Sequence, residues 1–165
     1  MAVLQTTTPT LVGNCLSRAR SRVLKKKRRH VSELKASASD ERVRNYVLTG
    51  LAQHPIQIYA LCLDKTQDTQ YRHMSTEAER YFHLASRVIG AATQACERGQ
   101  VIVDLRFRAR QREDFNQYVS GALGFPKADA FTIKHVDSMT DRCLQAVDFV
   151  ALAIRNQYQR GDLTG

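Results

Sequence analysis

The sequence predicts an α/β domain in which a mixed or mostly parallel sheet is flanked by helices. Short apolar runs rich in β-branched residues alternate with longer segments whose apolar residues repeat at helical spacing. The alternating order of strands and helices implies crossover connections, which favour parallel strands. With 165 residues, 43% of them hydrophobic, the chain is long enough for one core and short for two. We therefore expect a single domain over residues 1–165.

The first half of the chain predicts a short strand, two helices and a second strand. Residues 14–30 place apolar side chains on one stripe and arginines and lysines on another, which is typical of a basic amphipathic helix. Residues 30–37 indicate a short extended piece. Ser39 or Asp40 is expected to cap the next helix, which Pro55 ends. The run "IQIYALCL" then predicts a strand covered on both faces.

The second half predicts three helices and two strands. Thr76 and Glu79 form a capping box at the start of a long helix, and Gly99 occupies the position expected of a C′ glycine. "VIVDL" predicts a buried strand, and the helix that follows it ends at Gly124. "AFTIKHV" predicts another strand. The last helix is expected to run from about Met139 to Gln159.

The charge balance indicates which class of partner the protein attracts. The net charge is +9 and the sequence pI is about 9.7, so the surface should attract polyanions such as nucleic acid. The run "KKKRR" has two readings that remain open, contact with phosphates or a solvated or nuclear-targeting run. The predicted nucleic-acid-binding residues are Lys25, Lys26, Lys27, Arg28, Arg29, Arg106 and Arg108.

Several classes of function are disfavoured by missing motifs. The four cysteines form no C-x-x-C pair and have no histidine at ligand spacing, which argues against zinc and disulfide frameworks. No run of about 18 apolar residues exists, and the N-terminus does not resemble a secretory signal. No G-x-G-x-x-G or G-K-[ST] motif appears. We expect a soluble, cytoplasmic protein without a membrane partner.

Three acids do not fit the apolar elements that carry them. Asp148 is placed at the edge of the buried stripe of the last helix, Asp104 ends "VIVDL", and Glu33 lies in "SELK". The predicted stripe comprises Leu144, Val147, Ala151, Ile154 and Tyr158. An unpaired buried carboxylate costs several kcal/mol, so each acid needs a partner. Taken singly, an arginine, a turn or solvent would suffice for each of them.

Taken together, the three acids indicate a site for Mg²⁺ or Mn²⁺, which prefer carboxylate oxygens. An acidic pocket with a basic rim suits phosphodiester cleavage, in which metal ions activate water and stabilise the leaving oxygen. The sequence thus predicts a metal-dependent nuclease with Glu33, Asp104 and Asp148 as catalytic metal ligands. A nucleic-acid-binding protein without catalysis and a structural role in an assembly remain alternatives.

Four motifs resemble, in order and spacing, the domain of unknown function 3800 family over about residues 1–160. They are "SELKAS", "LCLDK", "VIVDL" and "DSMTDRCLQAVDFVALAIRN". The resemblance implies a ribonuclease H-like fold and metal-dependent nuclease activity, with Glu33, Asp104 and Asp148 on the family's acidic positions. It further implies supporting roles for Lys35, Lys65, Asp137, Ser138 and Gln145.

The beginning of the sequence departs from that family. Its members start with a strand bearing D-E-S-G and then a second strand, and "MAVLQTTTPT" resembles neither. We therefore expect an N-terminally truncated domain that starts at the third strand. In ribonuclease H-like sites the first-strand aspartate typically bridges two metals, so this departure predicts weak metal binding and little catalysis. A fragment, a misassigned start and a degenerate copy are the alternatives that would explain it. Open sheet edges predict self-association.

Three further polar residues have ordinary expected roles. Ser138, reinforced by Asp141 three residues later, is expected to cap the last helix. His83 lies within the long helix and is expected to be a partly exposed or packing residue. Cys143 has no histidine near it in the sequence, which disfavours a cysteine nucleophile.

Overall fold

A computed structural model describes residues 1–24, 31–124 and 126–161. The predicted basic run Lys25–Arg29 lies outside the described residues. The helices are α1 (Pro9–Arg22), α2 (Glu41–Ala52), α3 (Thr69–His73), α4 (Glu77–Gln94), α5 (Ala109–Leu123) and α6 (Arg142–Arg160), and the strands are β1 (Ala2–Thr6), β2 (Ile56–Ala60), β3 (Gly99–Asp104) and β4 (Phe131–Val136). The α/β class is confirmed. None of the described helices combines the length and the hydrophobicity needed to cross a bilayer.

The described strands form two separate pairs, β1 with β2 and β3 with β4. The amino group of Met1 donates to the carbonyl of Leu61 at 2.9 Å, so the start of β1 lies beside the end of β2 and this pair is antiparallel. The other pair is parallel, with α5 as its crossover. The described strands therefore do not form the single sheet that we expected. Strand order along the chain specifies connection lengths, and it does not specify which strands become neighbours.

The chain folds into two compact units. Unit 1 comprises Met1–Val3 and Tyr59–His135, and unit 2 comprises Leu4–Ile58 and Val136–Gly165. The core of unit 1 is formed where α4 and α5 pack together with β3. There the rings of Phe82 and Phe115 meet edge to face, with centroids 5.3 Å apart. Such aromatic pairs add to the stabilisation that burial alone provides.

In the described part of unit 2, the helices α1, α2 and α6 contact one another pairwise. Their fully buried side chains include Leu16, Val47 and Phe149. Asp40 caps α2 by accepting a hydrogen bond from the backbone of Val43. Of the two predicted candidates, Ser39 and Asp40, it is therefore Asp40 that forms the cap. Burial of these apolar side chains, at about 25 cal/mol per Å², is the main term that holds the helices together.

The predictions for two glycines at the ends of elements had different outcomes. Gly124 ends α5 with a φ of +70°, as predicted for a glycine that stops a helix. Gly99 is not a C′ residue, because α4 ends five residues earlier at Gln94 and Gly99 begins β3. A Cβ atom at Gly99 would lie 3.1 Å from a ring carbon of Phe131, so glycine allows β4 to approach closely. The prediction for Gly99 was therefore wrong.

The strands are less covered than their apolar sequences predicted. Ile58 of β2 keeps 47% of its surface exposed, so the prediction of a strand covered on both faces is wrong. In β3, Val103 is buried against α4 and α5 while its neighbour Ile102 is 37% exposed. Successive side chains of a strand point to opposite faces, and the helices cover only one face of β3.

Candidate functional site

A short segment of unit 2, Val31–Ala36, is fastened by side chains in place of a sheet partner; we call it the clamped segment. Arg20 of α1 donates to two of its carbonyls, those of Val31 at 2.6 Å and Ser32 at 3.0 Å. The Nε atom of Arg44 donates to the carbonyl of Ala36 at 3.1 Å. Arginine side chains from α1 and α2 thus hold the backbone of the clamped segment at both of its ends.

Helix α6 binds the backbone amides of the same segment. The Oε1 atom of Gln145 accepts from the N–H of Leu34 at 3.1 Å, and the Oδ2 atom of Asp148 accepts from the N–H of Ala36 at 2.9 Å. Positions three residues apart lie on one side of a helix, so these acceptors can meet alternate amides of a neighbouring chain. Leu34 and Ala36 are buried.

Gln145 forms hydrogen bonds through both the oxygen and the nitrogen of its side-chain amide. Its Oε1 atom also accepts from Arg20 at 3.1 Å, and its Nε2 atom donates to the carbonyl of Ser138 at 2.7 Å. With these bonds the amide is only 2% exposed. Burial and the neighbouring Arg142 lower the pKa of Arg20. Full hydrogen bonding is what permits a polar side chain to lie in an apolar environment.

The prediction for the buried face of α6 was wrong. The buried residues of this helix are Gln145, Ala146, Phe149 and Val150, in place of the predicted stripe from Leu144 to Tyr158. Three of these four residues are apolar, so the observed face lies beside the predicted stripe, whose members are partly buried except for the exposed Tyr158. Asp148 is exposed. Its carboxylate is not a buried charge, and the partner observed in the structure is a backbone amide.

Glu33 of the clamped segment lies beside the turn that precedes α6. Its Oε1 atom accepts from the hydroxyl of Ser138 at 3.0 Å, and its Oε2 atom lies 3.3 Å from the ammonium of Lys35. The side chain of Glu33 is 20% exposed and that of Lys35 is 60% exposed. Lys35 and Ser138, which the resemblance implied as supporting residues, are therefore in direct contact with one of the predicted acids.

Ser138 does not cap α6, in contrast to the prediction. The cap is Asp141, whose Oδ1 atom accepts from the backbone of Leu144 at 2.9 Å. The helix begins at Arg142, so Ser138 is too far before it for a side-chain cap. Asp137 has a local role, since its carboxylate accepts from the backbone of Met139 and stabilises the turn before α6.

Asp104 and Lys65 belong to unit 1. Asp104 is exposed at the end of β3, and its carbonyl accepts from the backbone of Arg106 at 2.7 Å. Burial raises the pKa of the nearby Tyr81; the charge of Asp104 raises it further, and that of Arg106 opposes the rise. Lys65 is exposed in a turn where Asp64 accepts hydrogen bonds from Thr66.

The arginines predicted to bind nucleic acid in unit 1 differ in their environment. Arg106 forms an ion pair with Glu77 and lies over the ring of Tyr81, with its guanidinium 5.1 Å from the ring centroid. Arg108 is exposed immediately before α5. Arg106 would have to leave these partners to contact a phosphate, whereas Arg108 is accessible as it stands.

The structure attaches only two of the three predicted metal ligands to the clamped segment. Glu33 lies within the segment and Asp148 binds the amide of Ala36, both in unit 2, whereas Asp104 belongs to unit 1. Within the described ranges, no group of three or more His, Cys, Asp or Glu residues has the proximity to hold a metal ion. None of the four cysteines forms a disulfide, and buried His83 lies in α4. The three-acid site stays a prediction.

The residues that sequence reasoning missed are the two arginines of the clamp. Arg20 occupies position i+4 from the buried Leu16, at the border of the apolar stripe of α1, and that border position was the available signal. Arg44 follows the buried Val43 and had no such signal. Comparison of the chain with protein-family models, curated proteins and solved structures found no match.

Proposed function

We propose that this protein is a divalent-metal-dependent nuclease, or a nuclease-related protein of the domain of unknown function 3800 kind, that acts on phosphodiesters of nucleic acid. The observation that carries the proposal is that Glu33 lies within the clamped segment while Asp148, far away in sequence, binds the last amide of that segment. Acidic side chains grouped inside a chain of net charge +9 are the pattern expected where metal ions and phosphates bind together.

The donor chemistry of these acids suits Mg²⁺ or Mn²⁺. A carboxylate oxygen carries two lone pairs, so the hydrogen bonds from Ala36 and Ser138 leave Asp148 and Glu33 with capacity to bind a cation. Bound metal would polarise the phosphate and lower the pKa of a bound water. Asp104 is the third ligand that the sequence predicts, and it remains part of the proposal.

The basic neighbours have a role that follows from charge. The ammonium of Lys35 lies 3.3 Å from Glu33 and is largely exposed, so it balances the carboxylate when no metal is bound. A cation at Glu33 would release Lys35, because both compete for the same carboxylate. Released Lys35 would then be available to contact a phosphate. Arg20 stays engaged with the clamped segment and positions Glu33 indirectly.

A second candidate function is nucleic-acid binding without catalysis. It is favoured by the hydrogen bonds that both acids already make within the protein, which give Asp148 and Glu33 a structural role without metal. Under this alternative, chelators change nothing and the acids only hold the clamped segment. The two candidates therefore differ in their dependence on metal.

Calorimetric titration with MnCl₂ and with MgCl₂ tests the metal site. Asp148→Asn keeps an acceptor for the amide of Ala36 but removes the charge, so the fold should persist. We expect this variant and Glu33→Gln to bind metal at least about tenfold more weakly than wild type. Glu113→Gln, an exposed acid on α5, is the matched control and should bind as wild type does.

Cleavage of end-labelled DNA and RNA oligonucleotides, with metal and with EDTA, tests the activity. We expect metal-dependent cleavage by wild type that Asp148→Asn loses when purified in parallel. Equal metal binding by wild type and Asp148→Asn would remove that residue from the site. Metal-independent nucleic-acid binding without cleavage would favour the second candidate.

A further inference from the structure

A groove of about 420 Å³ lies between α1 and α2 within unit 2. Its walls carry Arg18 and Arg22 from α1 and Arg42 from α2, with His54 just beyond the end of α2. Of the described residues that line it, none is acidic. The groove is thus a concentration of positive charge that belongs to neither the clamped segment nor the predicted acids.

The sequence builds this groove through helical periodicity. Arg18 and Arg22 are four residues apart and share a face of α1. On α2, Arg42, Asn45, Thr49 and Gln53 follow one another at steps of three and four residues, up to the residue that ends the helix. They form a polar face beside the buried Val43, Val47 and Leu51. The groove therefore presents hydrogen-bond donors along its length as well as charge.

The floor of the groove consists of small, uncharged residues. The helices approach at Cys15 and Gly50, where a Cβ atom on the glycine would lie 3.4 Å from the sulfur. Burial raises the pKa of the Cys15 thiol, although Arg18 opposes this, so the floor adds no negative charge. Within the described part of the chain, Arg18, Arg22 and Arg42 form no ion pair with an acid. Like charges held together without a counter-charge favour an anion between them.

We propose that this groove binds the sugar-phosphate backbone of a nucleic acid strand. The polar face of α2 from Arg42 to Gln53 spans about 16 Å, which exceeds the size of one phosphate and suits several consecutive ones. The exposed lining is polar, with the ring of Tyr46 half buried, so it lacks the apolar side chains that a membrane-inserting surface uses. The proposal rests on the proposed function for the identity of the polymer and needs no metal.

Fluorescence anisotropy with labelled single-stranded and double-stranded oligonucleotides tests the groove. The measurements are made in EDTA over a series of salt concentrations. Arg18→Gln/Arg42→Gln should weaken binding by about tenfold at low salt and reduce the salt slope by about 2. The matched control is Arg155→Gln/Arg160→Gln, which removes the same charge from exposed positions of α6 and should lie within about twofold of wild type.

Three outcomes would overturn the proposal. They are equal weakening by both double variants, no weakening by the groove variant, and binding of polyglutamate or anionic vesicles as tight as that of the oligonucleotides. All four arginines are exposed, so the variants should fold, and circular dichroism checks this. Binding at the groove is measured in EDTA, so it does not depend on metal. If calorimetry shows that wild type binds no metal, the proposed metal site fails while the result for the groove still stands.

Discussion

At the scale of single residues, Asp148 and Gln145 bind different amides of the clamped segment. Asp148 is exposed and accepts one amide hydrogen bond, so it holds Ala36 while its carboxylate remains open to solvent. Gln145 is buried and binds Leu34, Arg20 and Ser138 at once. The buried amide therefore contributes more to stability than the exposed acid, because its unmade hydrogen bonds would not be replaced by water.

Replacement of Gln145 by Met tests this directly. The change keeps the volume approximately but leaves the N–H of Leu34 buried without an acceptor, so the free energy of unfolding should fall by about 2 kcal/mol. Urea denaturation measures the loss, and hydrogen exchange at the Leu34 amide should accelerate. Gln159→Met, at an exposed position of the same helix, is the control and should leave both quantities unchanged. Equal unfolding free energies for the two variants would contradict the role given to Gln145.

The sequence singled out Glu33 and Asp148, and by resemblance it gave Lys35 and Ser138 supporting roles. Its explanation of Asp148 as a charge at a buried edge was wrong, because Asp148 is exposed and its carboxylate accepts a hydrogen bond from the backbone of Ala36. Arg20 could not be found by motif reasoning, since it binds backbone carbonyls, which every residue has. Side chains that recognise backbone leave little trace in sequence, whereas side-chain pairs produce motifs.

At the scale of elements, helix starts were more predictable than strand burial. Asp40 and Thr76 precede their helices and accept hydrogen bonds from the first turn, which is local chemistry written in a few adjacent residues. Burial of β2 depends instead on partners far away in sequence, and Ile58 proved largely exposed. Local signals therefore predicted where α2 and α4 begin, although not where α1 and α6 do, and the missing long-range information explains the errors about the strands.

The capping box of α4 gives a prediction at this scale. The hydroxyl of Thr76 accepts from the backbone of Glu79 at 3.1 Å, and the carboxylate of Glu79 accepts from Thr76 at 3.0 Å. Thr76→Ala removes one of these bonds and should lower the free energy of unfolding by about 1 kcal/mol. Thr76→Ser keeps a hydroxyl and should recover most of the loss. A serine variant as unstable as the alanine variant in thermal or urea unfolding would argue against the cap.

At the scale of the whole molecule, net charge and exposed strands act in opposite directions. The charge of +9 keeps copies apart at low salt. Each described strand pair has only two members, so its outer edges carry unpaired backbone groups that favour association. The sequence predicted this tendency from the resemblance to a family with more strands. Charge and strand pairing together make salt the variable that decides between monomer and oligomer.

Self-association should therefore increase with salt, because screening removes repulsion between copies and leaves apolar strand surfaces intact. Sedimentation velocity over a range of protein and salt concentrations measures it. Ile102, 37% exposed on β3, is the side chain to change, and Ile102→Thr should weaken association by about tenfold through lost apolar burial. Leu11→Thr removes a comparable side chain, 38% exposed on α1, and should associate as wild type does. Two results would show that β3 is not the contacting surface. One is a wild type that stays monomeric at high salt, and the other is a Leu11→Thr variant whose self-association is as weak as that of Ile102→Thr.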